Sequence, residues 1–145
     1  MYRVYRALTV AEHVIERCNK NGQSISNLKL QKILYFIQAE FLVRTEKVCF
    51  SEKIEAWDFG PVVPVVYHHY KVYGSANIPC FRARSDRKIL KRDMDIMDDI
   101  IDASAQYSAS KLVEITHSQT PWNSAYNSYN KIITPESIRD YFKED

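Results

Sequence analysis

Four histidines (His13, His68, His69 and His117) and three cysteines (Cys18, Cys49 and Cys80) are the side chains of this 145-residue sequence best suited to metal or acid–base chemistry. His68 and His69 are adjacent, and neighbouring side chains on a helix diverge by about 100°, so they do not chelate one ion as an i, i+4 pair does. The cysteines are odd in number and widely spaced, which gives neither a CxxC knuckle nor a disulfide framework; they read as reduced packing residues. No G-x-S-x-G elbow and no glycine-rich phosphate loop is present. His117 falls near a helix C-terminus, where an imidazolium is favoured by the dipole and its ring can bond a free carbonyl. No metal, no cofactor and no catalytic residue is expected, and a hydrolase using His117 with a nearby acid ranks third among the readings.

Charge is segregated along the chain. RARSDRKILKR, from Arg82 to Arg92, has six basic residues and one acidic one, whereas Asp93–Asp102 has five acidic residues and no basic one. Arg82, Arg84, Arg87, Lys88, Lys91 and Arg92 form a patch able to contact phosphates, but no helix-turn-helix spacing or stacking-aromatic signature accompanies it. The net charge of +2 does not demand nucleic acid or an anionic membrane. The acidic block reads as a helix opening, with aspartates complementing the positive end and a solvated face beyond.

The elements that must position these residues are mostly helical. A first helix is expected after Thr9 as N-cap, with Ala11, Val14, Ile15 and Cys18 on one face as far as Asn21-Gly22. Ser26 caps a second, SNLKLQKILYFIQAEFLV, whose apolar residues fall in two opposite sectors divided by Gln31 and Gln38 on one side and Lys29 and Glu40 on the other. A helix apolar on two sides is buried between layers, so this one is expected at the centre. VCF and IEAWDF, between Lys47 and Phe59, read as a small hairpin or two short strands, after which Gly60-Pro61 turns the chain. Pro64 suits the first position of a helix ending at Gly74. A further helix runs through Ile96, Met97, Ile100 and Ile101 to about Ala105. Ser108, Thr120-Pro121 and Thr134-Pro135 open three more, the second carrying Trp122 inward.

With 46% apolar residues the chain closes one core, and a single domain over 1–145 is expected: mainly α (α+β), a compact helical globule around a buried central helix with a small β-hairpin. No apolar run approaches the roughly 20 residues of a membrane helix, and MYRVYRALTV lacks the zones of a signal peptide, so a cytoplasmic location without membrane contact is expected. Ten tyrosines are many for this length. Tyr suits interfaces, and Tyr67, Tyr70 and Tyr73 cannot all be buried alike by one helix.

Three segments together resemble one family. LKLQKILYFIQAEFL from Leu28, EKIEAWDFGPVVPVVYHHYKVYG from Glu52 to Gly74 and KLVEITHSQTPW from Lys111 to Trp122 are similar, in order and content, to the Panacea domain, the SocA-like antitoxin family that includes GepA-like phage-associated proteins. The resemblance covers about residues 5 to 127. It implies a mainly helical globule with a small β element, found in phages and mobile elements, that binds rather than catalyses. Its partner would be a toxin encoded by a neighbouring gene, and one kind of member delivers its toxin to a protease. It also implies a scaffold role for Trp57, Gly60, Pro61 and Val62 at the corner before a helix, and for His117, Pro121 and Trp122 as a lock between the last helices. With the chain ending at Asp145, autoregulation through an appended DNA-binding domain is not expected.

Partner contact is therefore expected at Tyr67, Tyr70, Tyr73, Arg82, Arg84, Arg87 and Lys88, and the function is expected to be neutralisation of a protein toxin without catalysis. The competing reading is a nucleic-acid-binding phage protein using segment 82–92.

Overall fold

The computed structural model describes residues 3–80 and 88–143. Its longest helix, α2 (Asn27–Thr45), is the centre of the molecule. Onto it pack α1 (Ala7–Lys20), α3 (Pro64–His69), α4 (Lys91–Ala105), α5 (Ala109–His117) and α7 (Pro135–Lys143), with α6 (Thr120–Tyr126) bridging to the sheet. Leu30, Ile33, Leu34 and Ile37 are fully buried in α2, and so is Tyr35 on the opposite sector. Both apolar sides predicted from the sequence are thus covered. Tyr35 and Phe36 meet Phe142 of α7 edge-on, at ring centroid distances of 6.0 and 6.3 Å.

The small sheet is antiparallel, in the order β2 (Gly60–Val62), β1 (Ile54–Trp57), β3 (Ile132–Ile133). Trp57 stands opposite Gly60 and Glu55 opposite Val62, while Ile54 pairs with Ile133. Gly60 and Pro61 are thus strand residues rather than the expected turn; Asp58 and Phe59 make the reversal. The VCF segment is not a strand. Gln38 accepts the Cys49 amide hydrogen (2.8 Å) and donates to the Phe50 carbonyl (2.8 Å), occupying backbone groups that a ladder would use, and only one isolated bridge, Tyr5 to Phe50, remains.

Local capping signals fall where they were read in three cases. Ser26 accepts from the Lys29 amide, Ser108 from Lys111 and Thr134 from Ser137. Two others differ. The first helix begins at Ala7, with Glu52 accepting the Ala7 amide from 45 residues away, so Thr9 lies inside it. Thr120 is likewise already helical and Gln119 is the N-cap residue, its side chain engaged by the Tyr35 hydroxyl at 2.7 Å.

The acidic block of α4 does more than favour the helix dipole. Asp93 is buried and accepts the Tyr5 hydroxyl at 2.6 Å; burial, then this bond, pushes the Tyr5 phenol up to about 12. Asp98 lies 2.7 Å from His13, Asp102 takes two bonds from the Arg17 guanidinium, and Asp99 meets Arg44 at 3.2 Å. The expected solvated face is therefore in large part the seam that fixes α4 to α1 and α2. No helix among the described residues is long and apolar enough to cross a membrane.

Candidate functional site

The segment Trp57–Tyr70, comprising the β1–β2 reversal and α3, is held from two sides by polar side chains, those from α2 being buried. From α2, Asn27 donates to the Tyr67 carbonyl (3.0 Å), Gln31 accepts the Val63 amide (2.9 Å) and donates to Asn27 (2.9 Å), and Lys32 donates to the Pro61 carbonyl (2.9 Å). The bonds to Tyr67, Val63 and Pro61 satisfy backbone groups that strand pairing and the short helix leave open, and the Gln31–Asn27 bond orients the two side chains that make them. The motif LKLQK thus has a physical reading. Its leucine Leu30 fills the core, while its Gln31 and Lys32 grip the chain on either side of Val62.

From the other side, His117 Nε2 lies 2.9 Å from the Asp58 carbonyl oxygen, and the Trp122 indole donates to the Trp57 carbonyl at 2.8 Å. The His117 and Trp122 rings stack at 4.1 Å, and Trp122 stacks on Tyr126 at 4.7 Å. Tyr126 in turn donates to the Asp58 carboxylate, and that bond, followed by the charge of Asp58, raises the Tyr126 phenol. Pro121 is buried in the first turn of α6, where its missing amide hydrogen costs nothing. His117, Trp122 and Tyr126 therefore converge on the reversal between Trp57 and Gly60, while Pro121 opens the helix that carries the last two.

Above this clamp lies a surface aromatic cluster. The Trp57 ring is 5.1 Å from Tyr67, 6.0 Å from Phe59 and 6.2 Å from His68, and Phe59 is 37% exposed. A shallow hollow of about 310 Å³ lies beside it, lined by Trp57, Asp58, Phe59, Tyr126 and Lys131. The three tyrosines of the stretch part company here. Tyr67 belongs to the cluster. Tyr70 is only 9% exposed and packs in the core, burial pushing its hydroxyl up to about 12, while Tyr73 is half-buried against that core. Lys88 is exposed, and Arg82, Arg84 and Arg87 lie outside the described residues.

Lys32 is the residue that composition and periodicity did not single out, because a lysine on a helix is expected in water. It is fully buried, it donates to the Pro61 carbonyl, and its ammonium lies 5.8 Å from the Phe59 ring centroid. Burial drives its pKa down to about 7. Between pH 7 and about 8.5 the unfolded chain therefore keeps a proton that the folded chain has released, so stability rises with pH at up to about 1.4 kcal/mol per unit. Below pH 7 both states are protonated and the contribution is flat. At higher pH the buried thiols of Cys18 and Cys49, raised by burial, act in the opposite sense. Urea midpoints at pH 6.5, 7.5 and 8.5 are expected to climb more steeply for the parent than for Lys32→Met. Parallel profiles would mean that Lys32 is charged in the folded protein.

Comparison with known proteins adds two findings. The family described as "Antitoxin SocA-like, Panacea domain" matches residues 30–123, which takes in α2 from Leu30 onward, the Trp57–Tyr70 segment and the His117–Trp122 clamp. Antitoxin SocA of Caulobacter vibrioides (strain NA1000 / CB15N) is 35% identical over 130 residues, covering 81% of this chain and 68% of that protein. No solved structure matches the chain. The matched span contains the second and third segments on which the sequence resemblance rests and all of the first but Leu28 and Lys29, and the chain belongs to the SocA-like antitoxin family, the Panacea domain.

Proposed function

We propose that this protein binds and neutralises a protein toxin encoded beside it, by occlusion and without catalysis. The observation that carries the reading is the aromatic cluster of Trp57, Phe59, Tyr67 and His68, mounted on a segment that hydrogen bonds hold from both sides, those from Gln31 and Lys32 of α2 being buried. Large amphipathic rings on a fixed backbone bury much area with little loss of side-chain freedom, which is what an interface anchor requires. Family membership supplies the kind of partner: the Caulobacter relative is named an antitoxin. The clamp residues His117 and Trp122 act as scaffold, since His117 Nε2 and the Trp122 indole nitrogen are already engaged with backbone carbonyls. The exposed Lys88, with Arg82, Arg84 and Arg87, extends the same proposal to the basic segment.

The test is bacterial growth on inducing the neighbouring open reading frame, alone and together with this protein. Arrest relieved by co-expression, with the two proteins co-purifying, supports neutralisation by occlusion. Relief with loss of the toxin from the cell supports delivery to a protease instead. A harmless neighbour, or arrest that persists, overturns the reading. Tyr67→Ala is expected to leave the thermal midpoint within about 3 °C of the parent, because its backbone bonds to Asn27 and Val63 survive the truncation and its half-buried ring packs on the surface cluster rather than in the core, and to weaken the partner at least about tenfold. Undiminished affinity would remove Tyr67 from the interface.

A further inference from the structure

Stability alone does not account for Lys32, which is fully buried on the inner side of the aromatic cluster. A lysine taken out of water loses the hydration of its charge, whereas an apolar side chain of similar length fills such a site without that cost. Among the described residues no carboxylate pairs with it. We infer that Lys32 is a positioning residue for the partner-facing surface: its ammonium, while protonated, holds the Phe59 ring in the cluster, so that partner affinity falls when this proton is lost. The role rests on the partner-binding reading above and adds a control on the same site.

The fold makes room for this side chain at Gly60. A Cβ there would stand 2.6 Å from Lys32 Cε and 3.3 Å from its Cδ, so the lysine stem lies directly against the glycine backbone. The ammonium then donates to the Pro61 carbonyl at 2.9 Å and lies 5.8 Å from the Phe59 ring centroid, within reach of a cation–π contact. The residues on both sides of Gly60 are thus tied to one charge. Phe59 is where such a hold matters. The clamp reaches the carbonyls of Trp57 and Asp58, one residue short of it. Its ring is 37% exposed and leans on Trp57 and Tyr67, at centroid distances of 6.0 and 6.5 Å, while Lys32 meets it from the buried side.

Both contacts depend on charge. Loss of the proton removes the attraction to the ring and turns a charge-assisted hydrogen bond into a weaker neutral one. Burial brings that loss to about pH 7. A ring set free in this way must be ordered again when a partner covers it, which lowers affinity. The other titratable groups around the site have partners of their own. On α2, Lys29 donates to the Ala105 carbonyl and the Tyr35 hydroxyl to Gln119. Glu55 of β1 accepts the Trp57 indole hydrogen, the Asp58 carboxylate accepts from Tyr126 of α6, and His117 of α5 meets the Asp58 carbonyl. Tyr67 and His68 of α3 pack on Trp57, and β2 carries no titratable group. Imidazoles as a class titrate in this pH range, so Lys32 and Phe59 must be followed individually.

The full chain, labelled with ¹³Cε-lysine and ring-¹³C phenylalanine, is titrated by NMR from pH 5.5 to 9, free and then with the protein product of the neighbouring open reading frame. In the free chain Lys32 is expected to titrate at about pH 7, and the Phe59 ring signals to move with the same midpoint. Phe59→Leu, which keeps an apolar side chain at this partly exposed position, is expected to lower the Lys32 midpoint by about half a pH unit or more, since the ring favours the charged form. Affinity for the neighbouring protein is expected to fall about threefold or more between pH 6 and 8.5 in the parent, and to be flat over that range in Lys32→Met. Phe59 signals that ignore the Lys32 midpoint, or a midpoint unchanged in Phe59→Leu, overturn the positioning role; both are read without a Lys32 variant and without a partner. A Lys32→Met protein that binds with the parent's pH profile overturns the control of affinity and assigns the profile to the imidazoles. Coupling between Lys32 and Phe59 in the free chain, with no binding of the neighbouring protein at any pH, upholds the positioning of the ring and overturns the partner-binding reading instead.

Discussion

Gly60→Ala is expected to destabilise the protein by about 3 to 5 kcal/mol and to lower its thermal midpoint by about 10 °C or more. Two costs add. Gly60 sits at φ 107°, where an L side chain is strained by roughly 1 to 3 kcal/mol. A Cβ there would also stand 2.6 Å from Lys32 Cε and 2.9 Å from Thr116 Oγ1, two side chains that are themselves fully buried and have nowhere to retreat. Pushing Lys32 aside withdraws its ammonium from the Pro61 carbonyl as well. Gly74→Ala is the control. Its φ of 58° is also positive and its ψ of −129° lies outside the left-handed helical well, so an L residue is strained there by roughly 1 to 3 kcal/mol, but nothing lies within 4 Å of the added carbon and no steric cost adds to that strain. Equal midpoints for the two variants in a urea titration would show that the close approach at Gly60 is relieved at no cost.

Trp122→Ala is expected to cost about 3 to 5 kcal/mol. The indole is 9% exposed, stacked between His117 and Tyr126, and bonded to the Trp57 carbonyl, so truncation opens a cavity and orphans an acceptor at once. Trp122→Phe separates the two losses. It keeps a stacked ring and should cost about 1 to 2 kcal/mol, most of it from the missing hydrogen bond. The same truncation is expected to weaken any partner that uses the Trp57–Tyr67 cluster, because the clamp fixes the backbone that carries Trp57. A Trp122→Ala protein with the parent's urea midpoint would place the indole outside the core.

The sequence was most readable where a feature is decided within four residues. The Ser26, Ser108 and Thr134 caps and the proline-led start of α3 depend on neighbours in the chain, and so does the doubly apolar pattern of α2. Features decided at a distance were missed. Glu52 sets the start of α1 from 45 residues away, and Gln38 takes the backbone groups that would have made Val48–Phe50 a strand. Ile132–Ile133 becomes a strand only because β1 is there to receive it. In the candidate site, Gly60, Pro61, His117 and Trp122 were legible through motif order, but the motif does not say that they meet at one reversal. Lys32 belongs to the LKLQK motif, but nothing local marks a lysine as buried.

The central position of α2 has a consequence for synthesis. Thr45, its last residue, leaves the ribosome about 90 residues before Pro135, the first residue of α7, and at roughly 5 to 20 residues per second that interval lasts about 5 to 18 s. Throughout it, the side of α2 that carries Tyr35 and Phe36 lacks the Phe142 ring that will close over it. The nascent chain therefore passes through a stage in which a two-sided apolar helix is only half covered, and that stage, rather than the finished protein, is where recruitment of a chaperone or loss to aggregation is decided.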